Sequence, residues 1–270
     1  MKKLSVHMSL IVGSIVFSLP FLWLVSTSLK PDDQIFMLPP KWIPNPVMWS
    51  NYSKALEYAP IVLFARNTLY VKVMSIAGTV ISCPLVDYGF ARFRWPGRNV
   101  LFMILLSTMM LPPQVTMIPL FLIFREMNLL NTFVPLYIRT FFGTPFYIFL
   151  LRQFILTIPT SIEDAARVDG CGYLATLYRI LLPMLKPALI TVVIFQFTAA
   201  WNDFVNPLIY INRQEYRTLA LGLETFQAEF NEEWALLMAA STMMLVPVVL
   251  IFFFFQRYFI SGVVMTGLKE

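Results

Sequence analysis

The sequence is poor in the residues that usually do chemistry. In 270 residues histidine occurs once, as His7, and cysteine twice, as Cys83 and Cys171. A single histidine argues against a histidine base or a histidine metal cluster. The cysteines stand alone, without metal-ligand spacing, and fit small buried or interfacial side chains. No clustered carboxylate pair points to a membrane-embedded enzyme. A Gly-x-x-x-x-Gly-Lys-Ser/Thr run is missing, so the chain has no phosphate cradle of its own. Repeats, low-complexity tracts and long linkers are missing too, and one domain over residues 1–270 is expected. Charge is scarce at 13% of residues, against roughly 25% in a soluble domain.

Apolar residues fill the gap. The chain is 58% hydrophobic with a mean hydropathy of +0.71, so it reads as an all-α integral membrane protein. Its net charge of +5 and pI near 9.2 first suggest nucleic acid. The bases lie in short runs between apolar spans, which excludes that partner and leaves membrane lipid. Six spans of about 20 residues fall near residues 9–29, 67–92, 100–124, 133–154, 187–211 and 234–259.

Lys2 and Lys3 precede the first span, which is too long for a signal peptide and lacks a small-residue cleavage site. Residues 30–65 are polar and carry Trp42, Trp49 and several prolines, as suits an external loop at the membrane surface. Lys72 is expected to snorkel outward, and Asp87 to pair with Arg92 or Arg94 near the inner interface. Pro112, Pro113 and Pro119 break the third span, with Gln114 at the break. Gly143 and Pro145 interrupt the fourth, which carries Arg139, read either as snorkelling or as facing a polar pathway. Such breaks free backbone groups that neighbours or a wet cavity must satisfy. Polar residues recur in the fifth span as Gln196, Trp201, Asn202, Asp203 and Asn206, and in the sixth as Ser241 and Thr242.

With the N-terminus inside, the cytoplasmic segments hold Arg92, Arg94, Arg98, Arg152, Arg167, Arg179, Lys186 and Arg257. Most glutamates of the late chain fall in the external loop 212–233. This bias satisfies the positive-inside rule and puts residues 158–187 in the cytoplasm. That stretch is punctuated like a folded object. Thr160 and Glu163 have capping-box spacing, worth about 1 kcal/mol. Glu163 and Arg167 stand at i,i+4, Gly170 and Gly172 permit a left-handed stop, and Pro183 is expected to end a second short helix begun at Tyr173. Its charged face and small residues fit either docking into a groove on a soluble partner or an amphipathic linker lying on the membrane.

Glu163-Asp164-Ala165-Ala166-Arg167-Val168-Asp169-Gly170, followed by Ile180-Leu181-Leu182-Pro183, resembles the EAA motif of permease subunits of ATP-binding-cassette importers. The form with Asp169-Gly170 is similar to the carbohydrate, maltose permease G-like branch, with Cys171 where Ala is usual. Further likeness lies in Ala91–Arg98, in Leu111-Pro112-Pro113-Gln114, in Trp201-Asn202-Asp203-Phe204 and in Gln256-Arg257-Tyr258-Phe259. The resemblance implies a six-helix bundle of the type I importer permease fold in a bacterial or archaeal cytoplasmic membrane, with both termini inside. It implies that residues 158–187 carry coupling helices, with Glu163, Asp164, Ala165, Ala166, Arg167, Asp169 and Gly170 facing a cytoplasmic ATPase. It implies a second homologous permease subunit and two ATPase subunits, which bind ATP and Mg; this chain itself needs no cofactor or metal. An extracytoplasmic sugar-binding protein would meet the loop 212–233, with Glu224, Glu229 and Glu232. Residues 265–270 would reach the ATPase pair.

The expected cargo is a mono- or oligosaccharide. Gln114, Gln196, Trp201, Asn202, Asn206, Ser241 and Thr242 are the candidate pathway residues, each also explained by hydrogen bonding between helices. A glycerol-3-phosphate-type importer would give Arg139 more weight. An ATP-independent secondary transporter would need ionisable groups at mid-membrane.

Overall fold

The structure is a computed structural model that describes residues 2–228 and 231–267, with side chains from 5 to 227 and 233 to 254. Its helices in chain order are α1 (Lys2–Ser28), α2 (Ser50–Tyr58), α3 (Ile61–Arg92), α4 (Arg98–Ser107), α5 (Pro113–Glu126), α6 (Val134–Tyr137) and α7 (Pro145–Thr157). There follow α8 (Ser161–Val168), α9 (Tyr173–Thr176), α10 (Leu182–Met184), α11 (Lys186–Trp201), α12 (Val205–Tyr210), α13 (Leu219–Gly222) and α14 (Trp234–Gly267). A small antiparallel hairpin, β1 (Gln227–Ala228) and β2 (Asn231–Glu232), precedes α14. Among the described residues, four helical stretches are long and apolar enough to cross a membrane: Ser5–Ser28, Ile61–Arg92, Val134–Thr157 and Trp234–Phe254. Two bent pairs raise the number to six if each is one span.

The chain gathers into two compact units, one of residues 1–65 and 219–251, the other of residues 66–218 and 252–270. In the first unit, α1 turns apolar side chains outward along nearly its whole length. The hydroxyls in its middle are consumed within the helix: Ser14 Oγ donates to Leu10 O at 2.8 Å and Ser18 Oγ to Ser14 O at 2.7 Å. The carbonyls at its end are capped by Asn51, whose Nδ2 donates to Ser28 O at 3.0 Å and Lys30 O at 2.9 Å. Residues 30–65 are therefore more than a loop, since α2 delivers this cap. Lys30 is buried with Nζ 3.7 Å from the Trp23 ring centroid, and Trp42 meets Trp23 edge-on at 5.1 Å.

The second unit contains two apolar clusters. Cys83 of α3, Tyr147, Ile148, Leu150 and Leu151 of α7, and Ala188 and Val192 of α11 form one. Tyr88 of α3, Ile155, Ile158, Leu177, Leu181 and Leu185 form the other, beneath α8 and α9. The fourth span is interrupted where Gly143 and Pro145 predict. After α6 comes a 3-10 turn, Ile138–Phe142, then Gly143 at φ +87° and ψ 143°, then α7. The backbone groups this break frees are taken by α3: Ser82 Oγ donates to Thr140 O at 2.7 Å, and Thr144 N donates to Cys83 Sγ at 3.4 Å. Gly78 on the same helix admits the turn closely; a Cβ there would lie 2.7 Å from Phe141 Cδ2.

The third span breaks at Pro112 and Pro113 as expected, for Arg98–Met110 and Pro113–Glu126 meet at 98°, while α5 runs on through Pro119. Other expectations are corrected. The fifth ends as a helix at Trp201, and α12 follows after a short break. At its other end Pro183 does not stop the preceding helix. A π-helical turn, Leu177–Leu181, carries the run to Met184, and the chain then bends by 81° into α11. Lys72 does not snorkel but is buried, with no ion pair among the described residues. Asp87 is buried as well and pairs with neither arginine, because Arg92 is engaged elsewhere.

Candidate functional site

Residues 158–187 fold into the compact helical segment that their punctuation predicts, with different internal bonds. Thr160 makes no side-chain cap. Glu163 reaches neither back to Thr160 nor on to Arg167, and Arg167 Nη1 pairs instead with Asp164 Oδ1 at 3.3 Å. Gly170 adopts φ +81° and turns the chain after α8. Gly172 is extended at φ −73°, so only one of the two glycines makes the left-handed stop.

Helical spacing splits α8 into two faces. Glu163 and Ala166, three residues apart, point into the unit and are buried. Asp164, Ala165, Arg167, Val168, Asp169 and Gly170 point outward. Val168 is 87% exposed, and Tyr173 and Leu174 continue an exposed apolar strip onto α9. The Arg167 guanidinium lies 5.2 Å from the Tyr173 ring centroid. A charged, partly apolar face on a short helix, standing on a well-packed cluster, has the make-up of a helix-in-groove docking element.

Beneath that face the Glu163 carboxylate forms an ion pair with the Arg92 guanidinium, both groups buried. Tyr88 OH donates to Glu163 Oε2 at 3.4 Å. Arg92 Nη2 also donates to Ile155 O at 3.0 Å and Ile158 O at 2.6 Å, which satisfies carbonyls at the end of α7. Sequence reasoning uses Arg92 as an orientation marker and as a possible partner for Asp87, and misses this contact. The available signal is that a glutamate on the buried face of an amphipathic helix requires a cation.

A second feature lies among α5, the interrupted fourth span and α12. A cavity of about 360 Å³ is lined by Gln114, Thr116, Met117, Arg139, Asn206 and Tyr210, among others. Arg139 and Asn206 also border a neighbouring cavity of about 230 Å³ beside Gly143 and Thr144. Asn206 is set by Asp203, which accepts from its backbone N at 3.1 Å and its Nδ2 at 2.9 Å. The structure thus brings together Gln114 and Asn206 of the predicted pathway set and adds Arg139. Within the same unit it does not bring in Gln196, Trp201 or Asn202. Gln196 and Trp201 are buried in α11, with Trp201 stacked on Phe197 at 5.2 Å, and Asn202 caps the end of that helix. Ser241 and Thr242 belong to α14 in the other unit, where Thr242 Oγ1 donates to Met238 O at 2.8 Å. Of the predicted external glutamates, Glu224 is exposed. Glu229, the side chain of Glu232 and residues 268–270 lie outside the described residues.

A helical membrane chain with a compact, outward-facing helix pair between two spans is the architecture of a transport subunit. Residues 74–264 match the family described as binding-protein-dependent transport system inner membrane component, and the chain belongs to that family. It is 31% identical over 251 residues to the sulfoquinovosyl glycerol transport system permease protein SmoH of Agrobacterium fabrum, covering 93% of this chain and 88% of that one. It is 30% identical to the diacetylchitobiose uptake system permease protein DasC of Streptomyces coelicolor, with 93% and 91% covered. The arabinooligosaccharides transport system permease protein AraQ of Bacillus subtilis is likewise 30% identical, with 95% and 92% covered. In fold the chain matches a subunit of a bacterial ABC transporter involved in import of the acidic polysaccharide alginate. The TM-score is 0.84 at 24% identity, over 96% of this chain and 97% of that one.

Proposed function

We propose that this chain is the membrane permease subunit of an ATP-driven, binding-protein-dependent importer of oligosaccharides. The observation that carries the mechanism is the exposed face of α8, with Val168 at its crown. That face docks into a cytoplasmic ATPase subunit, two of which bind ATP and Mg and do the hydrolysis. The chain itself hydrolyses nothing. It works as one permease domain with both termini in the cytoplasm, beside a homologous second permease, and takes its cargo from an extracytoplasmic binding protein. ATPase closure moves α8, and the membrane helices alternate between outward and inward access. The cavity lined by Gln114, Asn206 and Arg139 lies on the cargo path, its amides suited to hydroxyl groups.

Arg139 favours a second reading within the same class, a cargo bearing an anionic group. An arginine at membrane depth is costly unless something answers it, and Arg139 makes no ion pair among the described residues. One experiment addresses class and cargo together. The chain is reconstituted in proteoliposomes with its sister permease, ATPase and binding protein. ATP-driven uptake is then measured for neutral and uronic-acid oligosaccharides. Uptake that requires both ATP and binding protein is the expected outcome. In Val168→Glu the ATPase no longer co-purifies and uptake stops, while the amount of chain in the membrane is unchanged. Full ATPase association in that variant would remove the docking face from the mechanism.

A further inference from the structure

Glu163 lies in the motif-bearing helix but faces away from the docking surface. Its side chain is 2% exposed, and it sits on the face of α8 opposite the exposed crown. A partner protein therefore has no access to its charge. That charge is answered from inside the same unit, by Arg92 and by the Tyr88 hydroxyl.

Arg92 is the last residue of α3, and its guanidinium holds three elements at once. It pairs with Glu163 of α8, and it donates to Ile155 O in the last turns of α7 and to Ile158 O just beyond them. Tyr88, one helical turn earlier, anchors the same junction from the apolar side, packed with Ile155, Ile158, Leu177 and Leu181. A solvated ion pair would fix little. A buried one with directed hydrogen bonds on each side tolerates one geometry, because each group loses its partner if the elements slide.

We infer that Glu163 is a positioning residue of the transport cycle: through Arg92 its carboxylate fastens α8 to the inner end of α3, so that displacement of the docked helix is delivered to α3, a 32-residue helix. Glu163 thus transmits force and is no ligand of the ATPase. This inference rests on the reading of α8 as the docking helix.

The test uses the reconstituted importer with Glu163→Gln, Arg92→Gln and the double variant. ATPase co-purification, ATP hydrolysis and sugar moved per ATP are measured for each. Both single variants keep the ATPase bound and still hydrolyse ATP, while sugar moved per ATP falls by about tenfold, within the range of coupling between sites. The double variant loses no more than either single one, since both cut the same link. Two results overturn the inference. One is loss of ATPase association in Glu163→Gln but not in Arg92→Gln, which would make Glu163 a partner contact. The other is an unchanged ratio of sugar to ATP in both. Should the glutamine variants fail to accumulate, Glu163→Asp and Arg92→Lys keep the charges but shorten the reach, and are judged by the same two results. Val168→Glu separates the premise from the inference. If it leaves ATPase association and uptake intact, the docking reading fails, whatever happens at Glu163.

Discussion

Replacing Gly143 by alanine strikes the break in the fourth span at its sharpest point. The residue adopts φ +87° and ψ 143°, a corner of backbone space that side-chain-bearing residues enter at a cost of about 1–3 kcal/mol. The added methyl would also lie 2.8 Å from Ile148 Cδ1. Ile148 is almost wholly buried in the α3–α7–α11 cluster and has little room to retreat, which adds about 1 kcal/mol. Reduced freedom of the unfolded chain returns about 0.5 kcal/mol. The net loss is about 1.5–3.5 kcal/mol, or roughly 3–14 °C in melting temperature. Thermal melting of the purified chain in detergent, side by side with the parent, measures it. Gly13→Ala is the matched control, because a Cβ at Gly13 meets nothing within 4 Å and alanine suits the interior of α1 better. It should melt at or above the parent. A Gly143→Ala protein that melts within about 2 °C of the parent, or a Gly13→Ala protein that falls equally far, would refute the reasoning.

Asn51→Asp keeps the shape of the α1 cap but removes the Nδ2 donor to Ser28 O and Lys30 O. Two acceptors at the end of α1 lose their partner, for a loss of about 1–3 kcal/mol in the same melting assay, and Asn51→Ala should cost less than Asn51→Asp. Burial pushes the Lys30 ammonium below its ordinary 10.5, so the native chain sheds this proton at a lower pH than the unfolded one. Between the two values the unfolded state binds more protons, and stability rises with pH. Lys30→Met should flatten that alkaline rise in melting temperature, and an unchanged slope would assign it to other groups.

Local features of this chain were legible in the sequence, and long-range ones were not. The compact helix pair of residues 158–187, the left-handed Gly170 and the interrupted fourth span all follow from short-range punctuation. Glycine and proline act on their own backbone. The partner of Glu163 did not follow. Local spacing nominated Thr160 and Arg167, three and four residues away, whereas Tyr88 is 75 positions distant and Arg92 stands on the same remote helix. For the same reason local sequence offers Asp87 an arginine partner and Lys72 an exit to solvent, whereas tertiary packing buries both. The cavity was half legible. Gln114 and Asn206 stood out as amides inside spans, but only the fold shows that Arg139 shares their space.

The two interrupted spans of the larger unit differ in mechanical character. In the fourth, the freed carbonyl of Thr140 and the freed N–H of Thr144 are held by Ser82 and Cys83, adjacent residues of a single neighbouring helix. Straightening that break could join these two groups to each other, since they stand at i and i+4, but it would cost α3 both of its bonds to the turn and force Gly143 from its φ of +87°. In the third, local bonds flank the bend, Leu111 N to Thr108 O and Val115 N to Pro112 O, and each travels with its own segment. The former is a weld and the latter a joint. A permease whose helices alternate as proposed above has reason to flex at the joint and to carry the weld along whole.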